Sequence, residues 1–561
     1  MSDSWRVPIN KLPTGVPGLD AVLGGGLPEY SFNLIAGGPG AGKTTLAHQI
    51  LFSNASADRR ALYFTVLGEP PLKMLRYQQQ MSFFDPSKVE NTIRFVNLSR
   101  EVLEKDLSNV LESMIRHVNE FDPKLVVVDS FRTVARTSTA SGAGELELQA
   151  FVQRLGQYLT GWLATSFLVG EYGEAEAENN PVFTVADGIF WLYQTMERNS
   201  IVRKLQVMKV RGQASMPGLH TFRITSDGLQ VFPRILQRAQ VEETSRPDRR
   251  MSTGVKGLDE MMGGGIPAGE AVLVAGPSGA GKTVFGTQFV AEGVARGEPG
   301  IIAVFEEHPQ EYIRRARSLG DLEAMVKQGK LKVLYLRPLD LSVDETLQEI
   351  RDSVAQIGAK RVVIDSLSGF ELALAPAFRD DFRESLYRMV GALLGTGVTV
   401  LMTVEVTESF SDLRFSPHAI SFLTDNIILQ RYVEIDGQLR KVMTVVKMRS
   451  SQHSKDLRAY EITSHGLVVG EVLSNYRGII TGVPEMREVA PAVFPGLTDQ
   501  EALVLQTLVD TQEGSAKTIA EATGLRQSDL GRALSRLLAL RYVIKATQNQ
   551  ETVYRPVARP L

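Results

Sequence analysis

Gly37-Gly38-Pro39-Gly40-Ala41-Gly42-Lys43-Thr44, and 239 positions on (37 to 276) Gly276-Pro277-Ser278-Gly279-Ala280-Gly281-Lys282-Thr283, decide the fold. Each follows a short β-branched run and opens a helical pattern, the context in which GxxxxGK[ST] is a phosphate loop. Glycines let backbone N–H groups wrap an anion, and the helix N-terminus adds a favourable field. Lys43 and Lys282 are expected to reach the terminal phosphates of a nucleotide, and the hydroxyls of Thr44 and Thr283 to ligate Mg²⁺. Gly38, Gly40, Ala41, Gly42 and Thr45 complete the first expected cradle; Ser278, Gly279, Ala280, Gly281 and Val284 complete the second. ATP and Mg²⁺ are therefore the expected cofactors. Chance glycine turns would not repeat this context at matched spacing.

Working outward, the repetition continues. Thr14-Gly15-Val16-Pro17-Gly18-Leu19-Asp20 recurs as Thr253-Gly254-Val255-Lys256-Gly257-Leu258-Asp259, and Gly24-Gly25-Gly26 as Gly263-Gly264-Gly265. Lys209-Val210-Arg211 recurs as Lys447-Met448-Arg449. A repeat this long is a duplicated domain, since solenoid units run ~20–50 residues. The spacing predicts one domain over 1–240 and another over 250–480, joined by the polar stretch Gln240 to Arg250, with an unrelated module over 495–561. Apolar runs at Phe32–Ala36, Ala61–Val66, Leu125–Val128, Ala271–Ala275, Ile301–Phe305 and Val362–Ile364 alternate with longer helical patterns. That alternation predicts α/β domains: mostly parallel sheets flanked by helices, of the RecA-like P-loop kind.

Two runs end in Asp, Leu125-Val126-Val127-Val128-Asp129 and Arg361-Val362-Val363-Ile364-Asp365, 86 and 83 residues after the two lysines. Asp129 and Asp365 are the expected second metal anchors. The copies diverge at the base. Copy two has Phe305-Glu306-Glu307-His308, whose adjacent carboxylates suit polarising an attacking water or hydroxyl, with Glu306 also within the expected metal set. Copy one has Leu67 and Gly68 at those positions, with Glu69 opposite His308. Either copy one binds ATP and hydrolyses it poorly, or Glu69 is the base from a shifted position.

The TGVxGLD…GGG lead-in, the phosphate loops, the FEE motif and the two KxR motifs together resemble the KaiC family of RecA-like ATPases, over about residues 10–480. The resemblance implies a double-ring homo-hexamer with ATP held between subunits. It also implies that Lys209, Val210 and Arg211, and Lys447, Met448 and Arg449, meet the nucleotide of a neighbour, as an arginine finger does. Taken alone, KxR reads as an exposed strand edge. In the family the second copy phosphorylates adjacent Ser and Thr residues. Here Ser421 matches the Ser, but Phe422 replaces the Thr, so at most one site remains; an ordinary loop serine is the alternative.

The rest of the sequence sets bounds. With 43% hydrophobic and 22% charged residues, the chain reads as globular. A net charge of −3 argues against a basic coat for nucleic acid. No cysteine is present, which excludes disulfides, and the seven histidines form no HExxH. Neither a secretory h-region nor a membrane-length apolar run is found, so a cytoplasmic protein off the membrane is expected. Ser474 to Ile480 resembles the family's C-terminal tail, where protein partners are expected. Beyond it, helices from Thr498, over Ala516–Ala522 and over Gln527–Leu538, with a hairpin at Tyr542–Lys545 and Thr552–Tyr554, resemble a winged helix. Arg526 to Arg559 holds seven Lys/Arg against Asp529 and Glu551, which suits phosphate contact with DNA. Winged helices also dock proteins. An ATP-driven switch is the leading reading; an ATP-regulated transcription regulator and a RecA/RadA-like recombinase are the alternatives. Against the recombinase, no Tyr- and Lys-rich single-strand-binding loops stand out.

Overall fold

The computed structural model describes residues 8–66, 71–103, 107–134, 144–177, 180–197, 200–234, 249–336, 342–374, 378–379, 382–406, 423–435, 437–449, 451–479, 485–486, 496–548 and 551–557. One compact unit takes residues 1–433 and 437–472, the other 434–436 and 473–561.

The large unit holds two nine-stranded sheets. The strands of the first are β1 Phe32–Gly37, β2 Ala61–Thr65, β3 Ile93–Asn97, β4 Leu125–Asp129, β5 Thr165–Glu171, β6 Gly188–Glu197, β7 Ser200–Val210, β8 Leu219–Thr225 and β9 Gly228–Phe232. Their order is β9-β8-β7-β6-β1-β5-β4-β2-β3. From β3 to β6 every pairing is parallel, and β6 to β9 is an antiparallel meander. Parallel strands covered on both faces are buried along their length and are mostly apolar. β1 and β2 accordingly bury every residue, and β4 buries all but its terminal Asp129.

The second sheet repeats the first: β10 Ala271–Gly276, β11 Gly300–Val304, β12 Leu331–Tyr335, β13 Arg361–Asp365, β14 Thr399–Glu405, β15 Asn426–Ile435, β16 Gln438–Met448, β17 Arg458–Thr463 and β18 Gly466–Val472. Its order, β18-β17-β16-β15-β10-β14-β13-β11-β12, is that of the first with nine added to each number. The α/β, RecA-like architecture expected from the repeat is present twice. Arg250, where the expected linker and the second domain meet, forms a short strand with Met251 that pairs with Ile266 and Pro267. Its guanidinium donates to the carbonyls of Met262 and Gly265, so the position is tied down by hydrogen bonds.

Helices pack on the sheets through apolar stripes. In Leu107–Phe121, Leu107, Val110, Met114, Val118 and Phe121 recur at helical spacing and are buried. Burial of side chains of this kind contributes ~1.5–3 kcal/mol each. That helix ends where Asp122 turns to φ 49°, in the left-handed region. The lobes differ under the second sheet. Arg361, fully buried, donates through Nε and Nη2 to Glu298 Oε2 at 2.8 and 2.6 Å, and through Nη1 to the carbonyls of Ser252 and Phe289. Leu125 begins the equivalent strand of the first lobe. Between lobes, Arg223 pairs with Glu345 at 2.6 Å and Arg234 with Glu384 at 2.8 Å.

The small unit is a winged helix: helices Asp499–Thr511, Ala516–Thr523 and Gln527–Ala539, and strands Gly514–Ser515, Val543–Gln548 and Glu551–Pro556. Val504, Leu505, Leu508, Ile519, Leu530, Leu534 and Leu537 form its core. A capping box joins Thr498 and Glu501 at the start.

Candidate functional site

Each phosphate loop leaves the C-terminal end of the central strand, β1 or β10, and enters a helix, Lys43–Asn54 or Lys282–Ala295. The turn needs glycine. Gly40 and Gly42 have φ of 72° and 97°, Gly279 and Gly281 of 75° and 95°, and a Cβ on Gly42 would lie 2.6 Å from Ile224 Cδ1. Lys43 Nζ donates to the Gly38 carbonyl at 2.7 Å, and Lys282 Nζ to those of Gly276 and Pro277 at 2.8 and 2.7 Å. Burial lowers the pKa of both ammonium groups. It is opposed by Glu171 and Asp129 in the first lobe, and by Glu405, Asp365 and Glu306 in the second.

In the second lobe, a cavity of about 590 Å³ is lined by Ser278, Gly279, Gly281, Lys282, Thr283 and Val284 together with Glu306, Glu307 and Asp365. All of the base and metal candidates of that copy thus converge. Ser366 Oγ donates to Glu306 at 3.2 Å, and Glu307 is ion-paired with Arg315. Burial raises the Glu307 pKa; Arg315 opposes this, while Asp365, Glu311 and Glu306 add to it. In the first lobe, a smaller cavity of about 340 Å³ is lined by Gly40, Gly42, Lys43, Thr44, Thr45 and Asp129. Thr44 Oγ1 donates to Asp129 Oδ2 at 2.8 Å. Burial raises the Asp129 pKa, against the hydrogen bonds from Thr44 and Tyr63. Ala41 and Ala280 are buried beneath their loops, and Gly38 faces open space. Leu67, Gly68, Glu69 and Ser421 lie outside the described residues.

The KxR residues are elsewhere. Arg211 N donates to the Asp187 carbonyl, Asp187 N to that of Phe32, and Arg211 and Asp187 form an ion pair at 3.1 Å. Arg211 is therefore level with the first residue of β1, whereas the loop follows the last. The five intervening steps span about 16 Å at ~3.3 Å per residue. Arg449, Asp425 and Ala271 repeat this arrangement, with an ion pair at 3.6 Å. Lys209 Nζ donates to the Thr184 carbonyl and Lys447 Nζ to that of Thr424, and Val210 and Met448 end their strands. Burial, then the adjacent arginine, lowers both lysine pKa values.

The sequence reading missed Glu171 and Glu405, which end β5 and β14 directly beside Gly37 and Gly276. Lys43 is 4.0 Å from Glu171. Both glutamates close apolar runs, but 234 positions apart (171 to 405), so the 239 register did not align them.

Two tandem glycine-cradled loops on identical sheets, each with an Asp-ended neighbouring strand, set the terms of comparison. The KaiC ATPase family model matches residues 12–235 and again 251–474. The chain belongs to the KaiC family. Similar proteins include the circadian clock oscillator protein KaiC of Picosynechococcus sp., 30% identical over 85% of this chain and 92% of its own length. The protein of the same name from Rippkaea orientalis is 31% identical over 85% and 92%, and circadian clock protein KaiC3 of Synechocystis sp. is 31% identical over 86% and 96%. Residues 494–559 match the sugar-specific transcriptional regulator TrmB. As a KaiC-family ATPase the chain is a nucleotide-binding protein. Among the described residues no helix is long and apolar enough to cross a membrane.

A magnesium ion fits the residues present. Thr44 and Asp129 bring oxygen donors within 2.8 Å of each other, and Thr283 and Asp365 line one cavity. Among the described residues no cluster of three or more His, Cys, Asp or Glu could hold a metal alone. Magnesium commonly takes one or two protein oxygens plus substrate phosphates and water.

Proposed function

We propose that the chain is an ATP-binding and ATP-hydrolysing switch that assembles as a homo-hexameric ring, with the second lobe also phosphorylating Ser421. The observation that carries this is the convergence of Lys282, Thr283, Asp365, Glu306 and Glu307 on one cavity. Lys282 binds the terminal phosphates. Thr283 and Asp365 would hold Mg²⁺, which when bound would supply positive charge to the phosphates. One carboxylate of the Glu306–Glu307 pair takes the single proton released by the attacking oxygen. That oxygen is water in hydrolysis, giving ADP and phosphate, or Ser421 Oγ in autophosphorylation, giving ADP and phosphoserine. The first lobe binds ATP and turns it over slowly, in keeping with Leu67 and Gly68 where the second lobe has its carboxylate pair.

The ring rests on the family resemblance and on the KxR level. About 16 Å of sheet lies between Arg211 and its own loop, so the nucleotide these cations would meet is a neighbour's. Intact-mass analysis after incubation with Mg-ATP, with peptide mapping at Ser421, tests the kinase. A phosphoryl increment at Ser421 that disappears in Lys282→Ala is expected. Its absence from the wild type overturns the kinase and leaves an ATPase. Native mass spectrometry tests the six-subunit ring.

A second reading, DNA binding by residues 495–561 under control of the ATPase lobes, is favoured by the TrmB match and by Arg532 in the third helix, whose side chain is 82% exposed. Removal of residues 495–561 abolishes a gel shift on duplex DNA if this holds.

A further inference from the structure

The two lobes hold their metal-anchoring aspartates by different donors. In the second, Asp365 Oδ1 accepts from Thr403 Oγ1, on the adjacent strand β14, at 2.6 Å. The matching residue of β5 is Val169, which pairs directly with Asp129 and has no hydroxyl to offer. The first lobe replaces it from the other side. Tyr63, two residues before the end of β2, reaches up to donate its phenolic proton to Asp129 Oδ2 at 2.8 Å. The second lobe has Ile302 at that position in β11. Each lobe therefore has one strand-borne hydroxyl on its aspartate, and the strand that carries it has changed.

Tyr63 is built for this single contact. It is wholly buried, with the His48 ring edge-on at 4.6 Å and Phe95 at 5.3 Å. Among the described residues neither His48 nitrogen has a polar partner, so none of them competes for the phenolic proton. Thr44 Oγ1 donates to the same Oδ2. A carboxylate has two oxygens and about four lone-pair sites. With both donors on Oδ2, the carboxylate is fixed in rotation and Oδ1 is left to the cavity that Asp129 lines.

We propose that Tyr63 is the positioning residue of the first lobe's metal site, setting its Mg²⁺ affinity through Asp129, and that Thr403 does the same for the second. This rests on the nucleotide-binding reading above. Partners that orient a metal ligand typically contribute 10–100-fold to metal affinity.

The test uses the full chain carrying Lys282→Ala, so that the first lobe alone binds a fluorescent methylanthraniloyl-ADP probe. Mg²⁺ is titrated against probe fluorescence. Tyr63→Phe is expected to raise half-saturating Mg²⁺ about tenfold while leaving probe affinity in EDTA unchanged, as a purely structural lesion would not. Val169→Thr added to Tyr63→Phe supplies the second lobe's donor and is expected to restore the Mg²⁺ response. A half-saturation point moved by less than about twofold in Tyr63→Phe, on the scale of that expected loss, overturns the proposal. Should Tyr63→Phe fail to fold, Thr403→Val in a Lys43→Ala chain carries the same expectation for the second lobe, and an unmoved response there overturns the shared principle. If the parent Lys282→Ala chain binds no probe even with saturating Mg²⁺, the first-lobe nucleotide site itself is wrong, a result distinct from binding that ignores Tyr63.

Discussion

His48 lies in the helix that follows the first phosphate loop, fully buried against Tyr63, Phe52 and Phe95 and with no polar partner among the described residues. Burial holds its pKa down to about 3, against 6.5 for a free histidine. The folded state therefore keeps the ring neutral while the unfolded chain takes up a proton as pH falls below 6.5. The stability is fully present above pH 6.5 and is lost progressively between 6.5 and 3. At pH 5 the unfolded chain has gained about 1.5 units of protonation advantage, or about 2 kcal/mol. Other groups titrate in the same range, so the comparison must be with His48→Met, of similar volume and without a titrating group. Trp5, Trp162 and Trp191, the protein's three tryptophans, all belong to the first copy, so urea unfolding followed by tryptophan fluorescence reports that lobe. Between pH 8 and pH 5 the wild type should lose about 1 M more in urea midpoint than His48→Met, taking m as ~2 kcal/mol/M. Midpoints that fall in parallel for the two proteins would show that the ring is not buried and neutral, and would refute the reasoning.

The other predictions concern the second lobe and the winged helix. Glu298→Gln breaks the buried pair with Arg361 and should destabilise the second lobe by about 3–5 kcal/mol, whereas replacing both residues with methionine should recover most of that loss; calorimetry of the full chain distinguishes them. Arg532→Ala should weaken duplex DNA binding uniformly across sequences and reduce the slope of log affinity against log salt by about one, measured by fluorescence anisotropy at several salt concentrations.

Much of the fold was legible because its signals are local. A glycine-rich loop between an apolar run and a helix announces itself within eight residues, and a run ending in Asp does so within five. Duplication then checked each motif against its twin. What escaped depends on registers that only the folded sheet creates. Glu171 and Glu405 become neighbours of the loops because β5 and β14 lie beside β1 and β10, and unequal insertions shift them out of the repeat register. Arg315 meets Glu307 only once the chain between them has coiled into a helix. Tyr63 reads in sequence as one more core residue of an apolar strand. The distance between the KxR cations and their own loop was equally hidden, since residue counts say nothing about which end of a strand a neighbour reaches.

That last separation has a genetic consequence. In the proposed ring, a site gripped by the loop of one subunit and the KxR cations of the next would belong to neither chain alone, and two differently damaged chains would complement each other. The contact in such a ring would be heterologous, one face of the subunit meeting a different face of its neighbour. Mixed in equal amounts, subunits lacking only Lys282 and subunits lacking only Lys447 and Arg449 would leave about a quarter of the second-lobe sites whole, as random placement around such a ring dictates. Neither preparation alone would have any. Inheritance of one defective copy would then poison a population of rings by proportion, while two defective copies of opposite kind would partly cure each other.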